Sequence, residues 1–251
     1  MSLNRISETK PRILVHTLRA YQDNYCYLVQ REGSKLAACV DACEAAPIER
    51  ELENLGVGLG AILTTHHHHD HVGGNLELQK KWDCPIYCSD LDFERVPGAT
   101  RSFKNGEFFV FDEMDFEVLE IPGHTQGQIA YLSVDAMALF VGDTVFEMGC
   151  GRLFEGTPEQ MFATLQKIQA LPADTQIFVG HEYTETNARF AALQDPLNAD
   201  ISKRLAAVRQ EIAANGFAKP PTIAVEQSVN PFFRAKTADE FARLRKLRDE
   251  F

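Results

Sequence analysis

The run TTHHHHDHVGG, residues 64–74, constrains this chain more than any other stretch, because five of its eight histidines fall within six residues there. Histidine is a residue of middling burial, so a row of four gains little packing energy. A purification tag would stand at a terminus, whereas this run follows a strand-like segment, residues 60–65, and precedes a helix-like segment, residues 75–82. The density of imidazole therefore indicates a metal site.

Two registers of the run are compatible with its spacing. If the chain leaves the strand still extended, side chains alternate, so His66, His68 and Asp70 point to one side and His67 and His69 to the other. Either His66 with His68 or His67 with His69 can then grip an ion. Our prediction is the first register, although spacing alone leaves the second open.

A bend at the end of the run would let it serve a second ion. Asp70 and His71 are neighbours, so they can share a target only if the backbone turns there. We expect Gly73 and Gly74 to supply that freedom. Asp70 and His71 would then reach a second ion while the histidine pair holds the first.

Length and charge limit the classes of function that need to be considered. The chain has 251 residues, enough for one large or two modest domains, and its net charge of −11 argues against nucleic acid or an anionic membrane as partner. No apolar run approaches the roughly 20 residues of a membrane helix, and the polar start, residues 1–11, lacks a signal-peptide core. We therefore expect a soluble, cytoplasmic protein that binds neither nucleic acid nor membranes. We also expect a monomer, although nothing in the length or charge requires one.

The six cysteines do not read as a zinc or disulfide framework. Cys39 and Cys43 are four residues apart, as are Cys84 and Cys88, unlike the CxxC pairs of structural zinc sites, and no histidine is near them. We expect reduced, mostly buried thiols.

Four strand-like segments each end at a potential ligand, and in three of them the ligand follows a glycine, which permits close backbone approach. One segment delivers the histidine run, and the other three lead to His124, Asp143 and His181: residues 116–121, 138–142 and 176–180. In sheet proteins covered by helices, sites gather in the crevice at the carboxyl ends of strands. The four ends can therefore converge on one site of an α/β protein.

The composition changes after His181. Three segments then read as helices, residues 185–193, 201–215 and 237–251, with looser proline-containing connections between the last two. We expect an α/β domain over residues 1–182 and a small helical domain over residues 183–251.

The last helix carries two arginines beside its apolar face. It opens with a capping box at residues 237–240, and at about 100° per residue Phe241 and Leu244 share a face that Arg245 and Arg248 flank. Arginines at the edge of an inward face can meet an anion. Ion pairs within the domain, or interaction with the helix C-terminus, are the alternative.

The candidate ligands are His66, His68, Asp70, His71, His124, Asp143 and His181. Two zinc-like ions that each take three or four N/O ligands would use all seven if one carboxylate bridged, and the two oxygens of Asp143 suit that role. We expect two divalent ions per chain, with zinc favoured and iron or manganese as alternatives, because imidazole and carboxylate suit all three.

Segments outside the histidine run carry a family resemblance. The chain reads THHHHDH from Thr65, PGHT from Pro122, GDT from Gly142 and GHEY from Gly180, and also DNYCYL, CGR and NPF at residues 23, 150 and 230. The HxHxDH core resembles the metallo-β-lactamase superfamily, and the later segments with the basic tail resemble glyoxalase II, the hydroxyacylglutathione hydrolases. The resemblance implies a metallo-β-lactamase-type αββα sandwich with a small helical C-terminal domain.

The resemblance also implies roles for individual residues. One metal would be held by His66, His68 and His124, a second by Asp70, His71 and His181, with Asp143 bridging them. Glutathione would contact Arg152, Phe154, Tyr183, Arg245 and Arg248. Arg152 stands where lysine is common in the family, and Phe154 stands where tyrosine is expected.

The activity implied by the resemblance is hydrolysis of a glutathione thioester, S-lactoylglutathione to lactate and glutathione, the second step of methylglyoxal detoxification. A hydroxide bridging two metal ions, oriented by Asp70 and Asp143, would attack the carbonyl. The alternatives are a glutathione persulfide dioxygenase with one iron, another hydrolase of this fold such as a β-lactamase or lactonase, and a metal store without catalysis.

Overall fold

A computed structural model describes residues 12–251, in which strands predominate up to residue 150 and helices predominate after it. The expectation that the start lacks a signal-peptide core concerns residues 1–11, which lie outside the described residues. The strands are β1 Ile13–Ala20, β2 Asn24–Arg31, β3 Leu36–Val40, β4 Gly58–Leu63, β5 Ile86–Ser89, β6 Arg101–Phe103, β7 Phe108–Phe111, β8 Met114–Glu120, β9 Ile129–Ser133, β10 Ala138–Gly142, β11 Val145–Phe146, β12 Gly149–Cys150 and β13 Gln176–Val179. The helices are α1 Ala45–Leu55, α2 His69–Val72, α3 Asn75–Trp82, α4 Pro158–Gln169, α5 Thr184–Gln194, α6 Ala199–Asn215, α7 Ile223–Val229, α8 Pro231–Arg234 and α9 Ala238–Asp249.

Two mixed sheets face each other across an aromatic core. The larger has the order β1-β2-β3-β4-β5-β6, antiparallel up to β3 and parallel from there on. The smaller has the order β13-β10-β9-β8-β7, in which only β10 and β13 are parallel. Between the sheets, the ring centroid of Tyr27 lies 5.2 Å from that of Phe178, and Tyr87 lies 5.5 Å from Phe109, both edge to face. Large rings in these geometries give the sandwich a well-packed interior.

Helices cover the other faces of both sheets. Ile48 and Leu52 of α1 and Leu78 of α3 are fully buried in a cluster with residues of the larger sheet. On the smaller sheet, α4 is fastened to the end of β8 by Thr164, which donates to the carbonyl of Pro122 at 2.7 Å. The order of layers is helix, sheet, sheet, helix, which confirms the predicted αββα sandwich.

The helical C-terminal region is more regular than predicted. Two short helices, α7 and α8, occupy the stretch expected to be a loose connection, because Thr222 caps α7 and Asn230 caps α8 with Pro231 at its first position. The predicted capping box of α9 is only half formed. Thr237 accepts from the Glu240 backbone at 3.1 Å, but the Glu240 carboxylate accepts from the backbone of Lys236, one residue earlier.

Two further expectations concern membranes and thiols. Within residues 12–251, no helix is long and apolar enough to cross a bilayer. All six cysteines are free and buried, which confirms the prediction of reduced, buried thiols.

Glu226 on α7 is a fully buried carboxyl that we expect to make stability depend on pH. One oxygen accepts from the Met148 backbone at 2.9 Å and from Asn230 at 2.7 Å, and the other has no partner. Burial, with the nearby charge of Glu147, raises the pKa of Glu226 to about 8, against about 4.3 in an unfolded chain. A raised folded-state pKa contributes stability that is complete below the unfolded value and is lost as pH rises through 8.

Glu226→Gln, which stays neutral, is therefore expected to lose less thermal stability than the wild type between pH 6 and pH 9. Differential scanning fluorimetry at both pH values measures this. The exposed Glu53→Gln variant is the control and should follow the wild type. An identical loss of Tm in Glu226→Gln and wild type would show that Glu226 is not the titrating group.

Candidate metal centre and substrate cleft

Two strand ends bring three imidazoles together. His66 and His68 follow β4 and His124 follows β8, and the Nε2 atoms of His66 and His124 each lie 3.0 Å from Nδ1 of His68. Nitrogens bound tetrahedrally to zinc at about 2.0–2.1 Å would stand about 3.3 Å apart. The three nitrogens are thus near the separation that a single ion requires.

A second group forms from Asp70, His71 and His181. Oδ2 of Asp70 lies 3.2 Å from Nε2 of His181 and 3.6 Å from Nε2 of His71. Nε2 of His71 is buried and makes no hydrogen bond. A buried polar atom without a partner is costly, so this nitrogen indicates that a further group belongs here.

Asp143 lies between the two groups. Its Oδ1 is 3.3 Å from Nε2 of His71, and its Oδ2 is 3.4 Å from Nε2 of His181 and 3.5 Å from Nε2 of His124. Oδ1 is also buried without a hydrogen bond. A Cβ on Gly180 would lie 2.2 Å from this oxygen, so the glycine before His181 does permit the close approach that was expected. One carboxylate therefore serves both groups of donors.

Each of four imidazoles is also held through its other ring nitrogen. Nδ1 lies 3.1 Å from Thr65 Oγ1 in His66, 2.9 Å from Asp41 Oδ2 in His71, 2.8 Å from the Arg152 carbonyl in His124, and 3.0 Å from Asp23 Oδ1 in His181. When each ring is neutral, an oxygen acceptor at Nδ1 places its proton there and directs the Nε2 lone pair toward the centre. The surroundings thus orient these four rings toward the centre.

Asp41, Thr65 and Asp23 were not predicted to be functional. Asp41 adopts a left-handed φ of 53° directly after β3, and its carboxylate accepts from the Thr65 backbone at 2.8 Å, from Thr65 Oγ1 at 2.7 Å and from His71. The signal that could have found Asp41 was present, because it is one more acidic residue immediately after a strand.

A helical turn, rather than glycine flexibility, lets Asp70 and His71 reach a shared target. The bend is α2, and Gly73 has an ordinary φ of −59°. The expected role of the two glycines was therefore wrong. A Cβ on Gly73 would lie 2.6 Å from the hydroxyl of Tyr21, and one on Gly74 would lie 2.9 Å from the first backbone nitrogen of α1. The glycines allow neighbouring chain segments to approach closely.

His67 and His69 point away from both groups. Nδ1 of His67 lies 3.1 Å from Oδ2 of Asp92, and its Nε2 contacts Arg95. His69 is exposed on α2. The structure therefore brings His66 and His68, and not His67 and His69, to His124.

The two groups of donors differ in electrostatics. Burial lowers the pKa of His68 to about 4, so its nitrogen carries a free lone pair at neutral pH. Burial also lowers the pKa of His181, but the carboxylates of Asp143 and Asp70 outweigh it and raise that pKa to about 10. A cation that binds beside Asp143 must displace this proton, so loading of the second group releases protons.

A cleft of about 370 Å³ opens beside His124 and Asp143. All five residues predicted to contact glutathione line it: Arg152, Phe154, Tyr183, Arg245 and Arg248. The site of the predicted anion contacts therefore adjoins the donor groups.

The two helix α9 arginines in the cleft are held in different ways. Arg245 is buried and donates to the Cys150 carbonyl at 2.6 Å and to Asp249 at 2.9 Å, but its Nε has no partner. Arg248 donates twice to Oδ1 of Asn187, at 3.1 and 3.2 Å. Asn187, which was not predicted, also lines the cleft. Both arginines therefore do make hydrogen bonds within the chain, which was the expected alternative to binding an anion. These bonds do not use every N–H group of either guanidinium.

Aromatic rings form the part of the cleft nearest the donor groups. Tyr183 stacks on His181 with 5.0 Å between centroids and an angle of 5°. Phe154 is 61% exposed and contacts His68 and His124 edge to face at 5.5 and 5.2 Å. Arg152 is exposed at the entrance. Phe154 offers a ring without the hydroxyl of a tyrosine.

Family models match nearly the whole described chain. The metallo-beta-lactamase superfamily model matches residues 22–181, and the model of the hydroxyacylglutathione hydrolase C-terminus matches residues 182–251. The superfamily match and the grouped His and Asp side chains together imply divalent metal ions at this site.

Curated relatives and solved structures agree with these models. Hydroxyacylglutathione hydrolase of Brucella anthropi is 43% identical, covering 96% of this chain and 98% of its own. The enzyme of the same name from Methylococcus capsulatus is 44% identical over 89% of this chain and 87% of its own. Among solved structures, ETHE1 from Myxococcus xanthus has a TM-score of 0.72 at 23% identity, covering 93% of this chain and 90% of its own, which shows a shared fold. The chain therefore belongs to the hydroxyacylglutathione hydrolase family of the metallo-β-lactamase superfamily.

Proposed function

We propose that the chain hydrolyses glutathione thioesters, with S-lactoylglutathione as the first candidate, at a centre of two divalent ions, zinc being favoured. The observation that carries the proposal is one carboxylate, Asp143, shared by two groups of nitrogen and oxygen donors beside a cleft lined with arginines. The name of the curated relatives, at 41 to 44% identity, supports the choice of substrate.

The donor set fits a metal pair. His66, His68 and His124 would hold one ion, Asp70, His71 and His181 the other, and Asp143 would bridge them. The orphaned buried atoms, Nε2 of His71 and Oδ1 of Asp143, would then gain partners. Bound there, two divalent ions would activate water at neutral pH and polarise the thioester carbonyl.

The chain's own groups would set the direction of attack. Asp70 is fixed by Asn24, whose side-chain amide donates to Oδ2 at 3.0 Å, and Asp143 is enclosed by three imidazoles. Both carboxylates can accept a hydrogen bond from the attacking water and so aim its lone pair at the carbonyl. Thiols have pKa values near 8.5, so glutathione can leave as thiolate without an obligatory general acid.

The cleft would bind the glutathionyl part. Glutathione carries two carboxylates, and guanidinium groups bind carboxylates with charge-assisted hydrogen bonds. Arg152, Arg245 and Arg248 supply the matching charge. In the proposed division, residues 1–182 form the catalytic domain and residues 183–251 the substrate-binding domain, which contributes Tyr183 and the α9 arginines.

The proposed setting is a cytoplasmic monomer that acts on a small molecule and on neither nucleic acid nor membranes. Six free buried thiols are typical of proteins from a reducing compartment. The net charge of −11 opposes binding to polyanions.

The deciding experiment is hydrolysis of S-lactoylglutathione with metal analysis of the same sample. We expect rapid turnover with about two ions per chain, loss of activity after chelation, and its return with zinc. One iron per chain with oxygen consumption on glutathione persulfide would replace the proposal with a dioxygenase. Two bound metals without thioester hydrolysis would also contradict it and direct the search to other substrates.

His67→Ala is expected to be mild, with less than about a tenfold loss of kcat/KM, because His67 faces Asp92 and Arg95 rather than the donor groups. His66→Ala should instead remove a ligand and lower both activity and metal content. Metal content and kcat/KM of both variants measure the difference. A larger loss of metal and kcat/KM in His67→Ala than in His66→Ala would show that His67 and His69 are the metal ligands.

A further inference from the structure

A second space borders the candidate metal centre at Asp70. This depression of about 520 Å³ is lined by Tyr21, Gln22, Asp23, Asn24, His69 and Asp70. It shares no lining residue with the arginine-lined cleft, whose members from the centre are His124 and Asp143. The candidate metal residues therefore touch two separate spaces.

His181 shows how the two spaces are arranged. Its ring stacks on Tyr183, a residue of the cleft, at 5.0 Å between centroids, and its Nδ1 lies 3.0 Å from Oδ1 of Asp23, a residue of the depression. Its Nε2 lies 3.2 Å from Asp70. The centre thus stands between the cleft and the depression.

The shape of a thioester gives this arrangement a consequence. The reacting carbonyl carbon is trigonal, so its sulfur and acyl carbon diverge at about 120°, and with the sulfur in the cleft the acyl carbon can point across the centre toward Asp70. We propose that the acyl group enters the depression and contacts the ring of Tyr21. This inference rests on the proposed thioester hydrolysis and concerns which acyl groups that reaction accepts.

Tyr21 is held rigidly in the loop between β1 and β2. Its backbone has a left-handed φ of 46°, its N–H donates to Glu44 at 2.5 Å, and its hydroxyl donates to the Cys43 carbonyl at 2.9 Å beside Gly73. A non-glycine residue keeps such a conformation only where its surroundings impose it, and these conformations cluster at functional sites. The hydroxyl is occupied while half of the side chain remains exposed.

An exposed ring at a fixed position favours flat apolar substituents. Aromatic pairs are stabilised beyond the area that they bury, because their rings attract one another edge to face or offset face to face. A lactoyl group offers one methyl, whereas a mandeloyl group offers a phenyl ring on the same 2-hydroxyacyl skeleton. We therefore assign to Tyr21 the discrimination between acyl groups, with the phenyl ring of a mandeloyl group as the probe of this contact.

The test compares kcat/KM for S-mandeloylglutathione and S-lactoylglutathione. Tyr21→Ala should lower the ratio of mandeloyl to lactoyl about fivefold. Tyr21→Phe is the matched control, because it keeps the ring and removes only the hydroxyl that donates to the Cys43 carbonyl. Its mandeloyl-to-lactoyl ratio should match that of the wild type. Gln22→Trp, at an exposed position on the same rim, should also shift the ratio by narrowing the depression.

A binding measurement that needs no turnover completes the test. Calorimetry with two thioethers that cannot be hydrolysed should show S-benzylglutathione binding more tightly than S-methylglutathione, with the difference lost in Tyr21→Ala only. An unchanged ratio and unchanged binding in Tyr21→Ala and Gln22→Trp, or equal shifts in Tyr21→Ala and Tyr21→Phe, would overturn the inference while S-lactoylglutathione hydrolysis still stands. Absence of all thioester hydrolysis would instead refute the proposed function, and this inference with it.

Discussion

Asp143→Ala is expected to abolish thioester hydrolysis, with a loss of at least about a thousandfold in kcat, and to lower the metal content below two ions per chain. Both oxygens of Asp143 lie within 3.5 Å of imidazole nitrogens, and together they contact both groups of donors. Its removal would take one ligand from each ion and the charge that balances them, and loss of even outer partners of a ligand costs about 10–100-fold.

Two comparisons separate a metal-site effect from simple unfolding. Asp143→Asn keeps the size of the side chain but removes its charge, so it should retain the fold and still lose most activity. Asp92→Asn changes another buried carboxylate, one that contacts His67 and Arg95 outside the donor groups, and should retain two metals. Wild-type turnover of Asp143→Ala with full metal loading would refute the assigned role.

Some features of this centre follow from local sequence. A ligand that lies just after a strand can be predicted from the sequence, because the strand pattern and the His or Asp that follows it are adjacent in the chain. His124, Asp143 and His181 were predicted in this way, and the structure brings them together. The side of the centre on which each of these ligands lies depends on the order of the strands in the sheets. Local sequence patterns do not reveal that order.

Other features depend on contacts between distant parts of the chain. Asp23 lies 158 residues before His181, whose ring it holds, and Asn187 lies 61 residues before Arg248. No periodicity links such pairs. The turn α2 was missed for a different reason, since four residues are too few for a helical pattern and an extended chain explained the first histidines equally well.

Arg248→Ala is expected to raise KM for glutathione thioesters about 10- to 100-fold, with kcat changed much less. A hydrogen bond to a charged group contributes about 1.5–3 kcal/mol, which corresponds to this range. Arg248 lines the cleft, and its existing bonds go to the neutral amide oxygen of Asn187, so the charge of its guanidinium is available to a ligand carboxylate. Burial lowers the pKa of Arg248, but from a starting value so high that the group stays charged at neutral pH.

Comparison with a substrate that lacks the glutathione carboxylates makes this prediction specific. A small thioester without the glutathione carboxylates should show the same KM with wild type and Arg248→Ala, because it has nothing for the guanidinium to bind. Arg243→Ala, on the exposed face of the same helix, is the matched control and should leave both values unchanged. Arg248→Lys should recover part of the loss, since lysine keeps the charge but not the fork of donors. Equal rises in KM for both substrates would mean that Arg248 supports the helix rather than the ligand, and the anion contact would then have to come from Arg245, whose Nε has no partner.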